Sequence, residues 1–322
     1  MTNPNDILTT AAYGGQGWSP RTDSLRQEIG TIWGACGVMS EWATLKAVLL
    51  HRPGAELEKS RDPNAVQMLA PLELSRAWSH HDTLADAYQA AGAIVHYVKP
   101  ANVPPPNLMF VADLMFMTPE GAIVGRPAST VRAGEERFVA RRLAELGIPI
   151  LRSVRGTGTF EGADALWLDP KTVLLASGLR TNPEGAAQVA STLREMGVEV
   201  IRVDLPPGTM HLMGQLRFPD RGLAVGWPGR LCDATVEALG EHGFRLVYLP
   251  DETEAIQGMA LNFVTLGPQR ILMPAGVPRT QAFYEKLGIT CHTVQIDELT
   301  KAAGGIGCLT GVLQRESGRL PQ

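Results

Sequence analysis

Five places in the 322-residue chain carry reactive side chains at a shared spacing: Asp113 in FVADLMF, Glu161 and Asp164 in FEGAD, His211 in MHLMGQL, Asn262 in LNF, and Cys308 in GGIGCLT. The intervals run roughly forty-five to fifty-one residues, as a structural repeat would give. A cysteine attacks as its thiolate, which needs a lowered pKa or a base, and a leaving nitrogen needs an acid. His211 suits both proton tasks, and Glu161 suits the third member that accepts a ring N–H. Asp113 and Asp164 remain as anions matched to a planar cation with several N–H donors, such as a guanidinium. The set points to an arginine-like small molecule. Each residue also has a structural reading: Cys308 as a small core residue, His211 as a satisfied buried histidine, and Glu161 and Asp164 as caps of the FEGAD turn.

The elements that would position these residues repeat as well. From Asp164, DALWLDPKTVLLASG reads as two short apolar strands around an Asp-Pro-Lys turn. NPEGAAQVASTLREMG then reads as a helix opened by Asn-Pro and closed by glycine, and VEVIRVDL as a strand. The same ββαβ order starts at Asp113, Gly214 and Asn262. A fifth unit joins TLKAVLLHRPG, a helix near SHHDTLADAYQAAG and the strand AIVHYVKP to the terminal GCLTGVLQRE, so that the chain closes on itself. Units of this size bury their sheets only by packing side by side. The expected fold is therefore α/β, a five-bladed pseudo-symmetric propeller of ββαβ units. An open doubly wound sheet is the alternative, but it needs a helix between successive parallel strands and not repeated strand-turn-strand pairs.

Residues 41–318 are expected to form this single domain, after an N-terminal extension over 1–40 in which RTDSLRQEIGTIWGACG reads as a short helix with an Asp or Thr cap. The segments DPNAVQMLAPLE and KPANVPPPNLMF are candidate lids. His80 and His81 read as part of a solvated helix face.

Composition narrows the function. A net charge of -4, with 44% hydrophobic and 19% charged residues, is globular and lacks the basic field that draws proteins to nucleic acid. No apolar run approaches a spanning helix, and the start lacks a secretory signal, so the expectation is a cytoplasmic protein without membrane or nucleic-acid partners. Cys36, Cys232, Cys291 and Cys308 have neither disulfide-framework nor zinc spacing and read as reduced thiols. The glycines of RGTGTF lack the Lys-Ser or Lys-Thr ending of a phosphate loop.

Taken together, EWATLKAVLLHRPG, NLMFVAD, FEGAD, SGLRTN, MHLM and GGIGCLT resemble the guanidine-modifying enzymes of the pentein superfamily, which includes arginine deiminases, amidinotransferases and dimethylarginine dimethylaminohydrolases. The resemblance covers the chain from about residue 41 onward. It implies a thiolate attack by Cys308 on the guanidinium carbon, proton handling by His211 and Glu161, and a hold on the guanidinium by Asp113 and Asp164. It also implies an S-alkylthiouronium intermediate, resolved by water or by an acceptor amine, and no metal or organic cofactor. Arg180 would clamp a substrate carboxylate, with a structural ion pair as its other reading. Deiminases and amidinotransferases place an aspartate two residues after the histidine, where this chain has Met213, a thioether that leaves room for an alkylated nitrogen. The expected activity is hydrolysis of an Nω-methylated arginine to citrulline and an alkylamine. The alternatives are an amidinotransferase, a deiminase-like enzyme or a non-catalytic binding ring. A homo-oligomer is left open.

Overall fold

Two strands joined by a tight turn pair antiparallel, and the helix that follows returns the chain so that a third strand lies parallel to the second, as a parallel pair requires. The computed structural model describes residues 7–58 and 62–316. Among these the pattern occurs five times. β1 (Leu45–Leu50) and β2 (Ile94–Tyr97) flank helix α1 (Leu74–Ala90). The second blade is β3 (Met115–Thr118), β4 (Gly121–Val124), α2 (Glu136–Glu145) and β5 (Ile150–Ser153). The third is β6 (Ala165–Asp169), β7 (Thr172–Ser177), α3 (Pro183–Glu195) and β8 (Glu199–Asp204). The fourth is β9 (Leu216–Asp220), β10 (Leu223–Gly226), α4 (Asp233–Glu241) and β11 (Arg245–Tyr248). The fifth is β12 (Val264–Gly267), β13 (Arg270–Pro274), α5 (Pro278–Lys286) and β14 (Thr290–Val294). The last strand, β15 (Gly311–Arg315), joins the first blade by pairing antiparallel with β1, with Leu49 opposite Gly311 and Val48 opposite Val312. The fold is a five-bladed α/β propeller of separate three-stranded sheets.

Burial explains why the repeat was readable. The inner and middle strands are buried almost throughout, as in β3, β4 and β7, and read as unbroken apolar runs. The outer strands β5, β8 and β11 are largely exposed. Apolar packing lies between neighbouring blades: Phe116 of the second blade stacks on Trp167 of the third at 5.7 Å, a contact that adds ~0.5–1.5 kcal/mol to the burial of the rings. The first and fifth blades share Leu50, Tyr88, Leu272 and Leu299.

Three details differ from the sequence reading. The N-terminal helix is a single turn, Leu25–Glu28, capped by Ser24 and not by Asp or Thr, because Gln27 completes a capping box with that serine. Helix α1 begins at Leu74, earlier than SHHDTLADAYQAAG. His81, expected on a solvated face, is fully buried, and burial pushes its imidazole down to about 4. Residues 1–6 of the expected extension and 317–318 of the expected domain lie outside the described residues. Among the described residues no helix is long and apolar enough to cross a membrane.

Candidate active site

A short turn precedes nearly every inner strand, and these turns pack against one another around the axis. Val111–Leu114, which carries Asp113, contacts both Gly162–Asp164 and the helical turn Ile306–Leu309, which carries Cys308. Gly162–Asp164 in turn contacts Leu212–Gly214, whose N-cap residue is His211. Residues fifty positions apart in sequence thereby meet at one end of the propeller.

Glycine permits this crowding at two points. A Cβ on Gly307 would overlap Arg217 and lie 2.8 Å from Asn262 Oδ1. A Cβ on Gly162 would overlap the Met115 carbonyl. The glycines beside Cys308 thus let two neighbours approach the backbone next to the sulfur.

Cys308 and His211 border the same cavity, together with Asp113, Arg132, Arg180 and Asn107. Gln67 and Asn107, from the two segments read as lids, also line it. Asn262 holds the cysteine at both ends of its amide: Nδ2 donates to Cys308 Sγ at 3.0 Å, and Oδ1 accepts from the Cys308 backbone N–H at 3.2 Å. Burial, followed by the charge of Asp113, raises the thiol pKa, and the Asn262 hydrogen bond, the Gly305 backbone and Arg217 pull the other way. The balance favours the protonated thiol.

His211 Nε2 and Glu161 Oε2 are 2.7 Å apart. Burial disfavours the imidazolium, but Asp113, Asp164 and Glu161 outweigh it and raise the His211 pKa. Burial also opposes ionisation of Glu161, yet His211, Arg132 and Arg180 hold its carboxyl below the usual range. Both shifts favour an imidazolium beside a carboxylate.

Asp113 is divided between two environments. Its Oδ2 accepts from Arg132 at 2.6 Å, while its Oδ1 accepts no hydrogen bond among the described residues and lies 3.9 Å from His211 Nε2. Asp164, expected to face a guanidinium, sits differently. It is fully buried and absent from the cavity walls; Oδ2 accepts from Thr181 at 2.7 Å and Oδ1 from the Leu212 N–H at 3.1 Å. Burial lifts its carboxyl to about 6, and the place it occupies is that of a support for the His211 backbone. Arg180 reaches both oxygens of Glu161 at 3.3 Å while still lining the cavity, so both of its readings have a geometric basis. Met213 borders a second cavity that also contains Cys308 and His211.

Sequence reasoning missed Arg132 and Glu135. Arg132 is buried and donates to Glu135 at 2.9 Å, to Asp113 at 2.6 Å and to Glu161 at 3.4 Å. The available signal was the surplus of acids: carboxylates converging on one axis require a buried cation. Asp113, Glu161 and His211 also bring potential metal-ligand atoms within 4.8 Å of one another, but Arg132 already donates to both carboxylates and Arg180 to one of them.

Comparison with known proteins bears on the family and the fold. The sequence profile described as arginine deiminase matches residues 55–225, more than half of the chain. The N(G),N(G)-dimethylarginine dimethylaminohydrolase of Streptomyces coelicolor is 26% identical over 265 residues, 82% of this chain and 96% of that protein. Among solved structures, a cysteine mutant of dimethylarginine dimethylaminohydrolase from Pseudomonas aeruginosa complexed with citrulline superposes with a TM-score of 0.70 at 22% identity, covering 85% of this chain and 100% of that one. SxtG, an amidinotransferase from Microseira wollei, superposes with a TM-score of 0.71 at 14% identity, covering 89% and 99%. The chain belongs to the arginine deiminase family.

Proposed function

We propose that the protein is a cysteine-dependent hydrolase of the C–N bond of an N-substituted guanidine, in the simplest case an Nω-methylated arginine giving citrulline and an alkylamine. The observation that carries this reading is the convergence of Cys308, His211 and Asp113 on one cavity, with Asp113 Oδ1 accepting no hydrogen bond among the described residues.

A guanidinium that donates to Asp113 Oδ1 neutralises the anion that helps keep the thiol protonated, and adds a positive charge of its own. Substrate binding thus favours loss of the thiol proton to solvent. The thiolate forms an S–C bond to the guanidinium carbon. In the tetrahedral adduct the C–N bond to the substituted nitrogen breaks as His211 donates a proton to it, and the amine departs. Glu161 engages Nε2, which leaves Nδ1 to exchange that proton with the bound molecule. The remaining thiouronium is attacked by water, with the now neutral His211 as base. Collapse breaks the S–C bond, forms the ureido C=O with loss of the hydroxyl proton to solvent, and returns Cys308 as thiolate and His211 as imidazolium.

Incubation with dimethylarginine, with arginine, and with arginine plus glycine, followed by assay of dimethylamine, ammonia and guanidinoacetate, tests the assignment. Dimethylamine from the first supports it. Ammonia alone would make the protein a deiminase, guanidinoacetate would make it a transferase, and absence of all three products would contradict a guanidine substrate.

A further inference from the structure

Two cavities meet at Cys308 and His211, and their walls differ in kind. The first carries Asp113, Arg132, Arg180, Asn107 and Gln67. The second is the roomier of the two and is walled by Met210, Met213, Trp227, Met259 and Leu261. Apart from His211, no residue lining it carries an ionisable charge other than the cysteine itself. An amino-acid headgroup with its ammonium and carboxylate has nothing to pair with there, whereas the first cavity offers both signs of charge. The reacting carbon must lie at the boundary, beside the sulfur.

The geometry points to the second cavity as the pocket for the nitrogen substituent of the guanidine, and to an apolar substituent bigger than two methyl groups as its occupant. The proposal rests on the hydrolase reading above and narrows its substrate class to guanidines bearing a bulky alkyl or aralkyl group. Thioethers and an indole suit such a group, because methionine adapts its three torsions to irregular apolar shapes and tryptophan presents a broad flat face. Two amide side chains, Asn262 and Gln215, interrupt the apolar wall, and Asn262 is already engaged with Cys308. Gln215 is 6% exposed and its Oε1 has no hydrogen-bond partner among the described residues. Cleavage gives the departing nitrogen one N–H more than it had in the guanidine, the proton from His211, and an unsatisfied buried amide oxygen is a matching acceptor for it. The wall is also held in an unusual backbone conformation. Met259 at φ 52° and Ala303 at φ 70° are two of four non-glycine residues in the left-handed region among those described, and both border this cavity. Such conformations persist where the surrounding structure fixes them, often at ligand sites.

The test is a series of Nω-substituted arginines, dimethyl, propyl, butyl and benzyl, assayed for citrulline. The expected result is a rise in kcat/KM of ~10-fold or more from dimethyl to butyl, the range that added methylenes give in an apolar pocket. A second arm fills the cavity. Gly214 lines it, and a Cβ built there meets nothing within 4 Å, so Gly214→Leu places a side chain in open space. In that variant the butyl-to-dimethyl ratio of kcat/KM falls below the wild-type ratio, a comparison made within one preparation and so independent of how much of it folds. Turnover of dimethylarginine with a steady fall as the substituent grows overturns this inference and leaves the hydrolase reading standing, as does an unchanged ratio in Gly214→Leu. No turnover of any member overturns both.

Discussion

At Asp113 one carboxylate faces two partners, Oδ2 accepting from Arg132 at 2.6 Å while Oδ1, without a hydrogen bond among the described residues, lies 3.9 Å from His211 Nε2. Arg132 in turn holds Asp113, Glu161 and Glu135 in one buried cluster. Its replacement by methionine leaves those acids uncompensated and is expected to destabilise the protein by about 3–5 kcal/mol, read from urea denaturation. A loss under about 1 kcal/mol would remove Arg132 from the account. The His211–Glu161 pair makes a prediction about pH. A raised histidine pKa means that stability from the imidazolium is fully present below the ordinary histidine value and is lost as pH rises through the raised one. The acid form needed by the leaving amine is lost over the same interval. Glu161→Gln removes one of the anions that raise this pKa, so the alkaline limb of the kcat profile is expected to move to lower pH, with kcat reduced ~100-fold or more. A limb that stays in place would mean that another group donates the proton. Residue by residue, the convergence of Cys308, His211, Asp113 and Glu161 was legible because each carries reactive chemistry at the repeat phase. Arg132 was not, because it follows a strand instead of preceding one and its role depends on Asp113 and Glu161, both distant in sequence, as well as on nearby Glu135. Nor was the burial of Asp164, since a carboxylate that caps a turn and one that binds a cation look alike in a string of letters.

Helix α3 shows how an element sets the site. Asn182 caps it, with Oδ1 accepting from the Gly185 N–H at 2.8 Å and from the Thr159 N–H at 2.9 Å, while Nδ2 donates to the Thr157 carbonyl at 2.8 Å. One side chain therefore fixes both the start of the helix and the loop that leads to Glu161. Asn182→Ala is expected to cost ~1–2 kcal/mol in thermal or chemical unfolding, and also to lower kcat by loosening Glu161. Lost stability with unchanged kcat would separate the cap from the site. The Asn-Pro opening of this helix was plain in the sequence, as were the strand-turn-strand pairs, because buried inner strands form apolar runs that polar turns interrupt. The start of α1 was harder to place, since no side-chain cap marks it at Glu73.

For the molecule as a whole, closure depends on β15, which pairs with β1, while Arg315 donates to the carbonyls of Ala43 and Thr265 at 2.7 and 2.8 Å. Truncation after Thr310 removes that strand and uncovers the sheet formed by β1 and β2. The expected result is loss of the cooperative unfolding transition in calorimetry, and a transition retained at the wild-type midpoint would show that the ring closes without it. Closure is also what brings a thiol near the end of the chain to an imidazole about a hundred residues earlier. The most direct measurement of that chemistry is intact-protein and peptide mass spectrometry after a denaturing quench during turnover of dimethylarginine. The account predicts a Cys308 peptide carrying the substrate less dimethylamine, which disappears as substrate is consumed. Steady product formation with Cys308 unmodified at every time point, and equal turnover by Cys308→Ser, would contradict it.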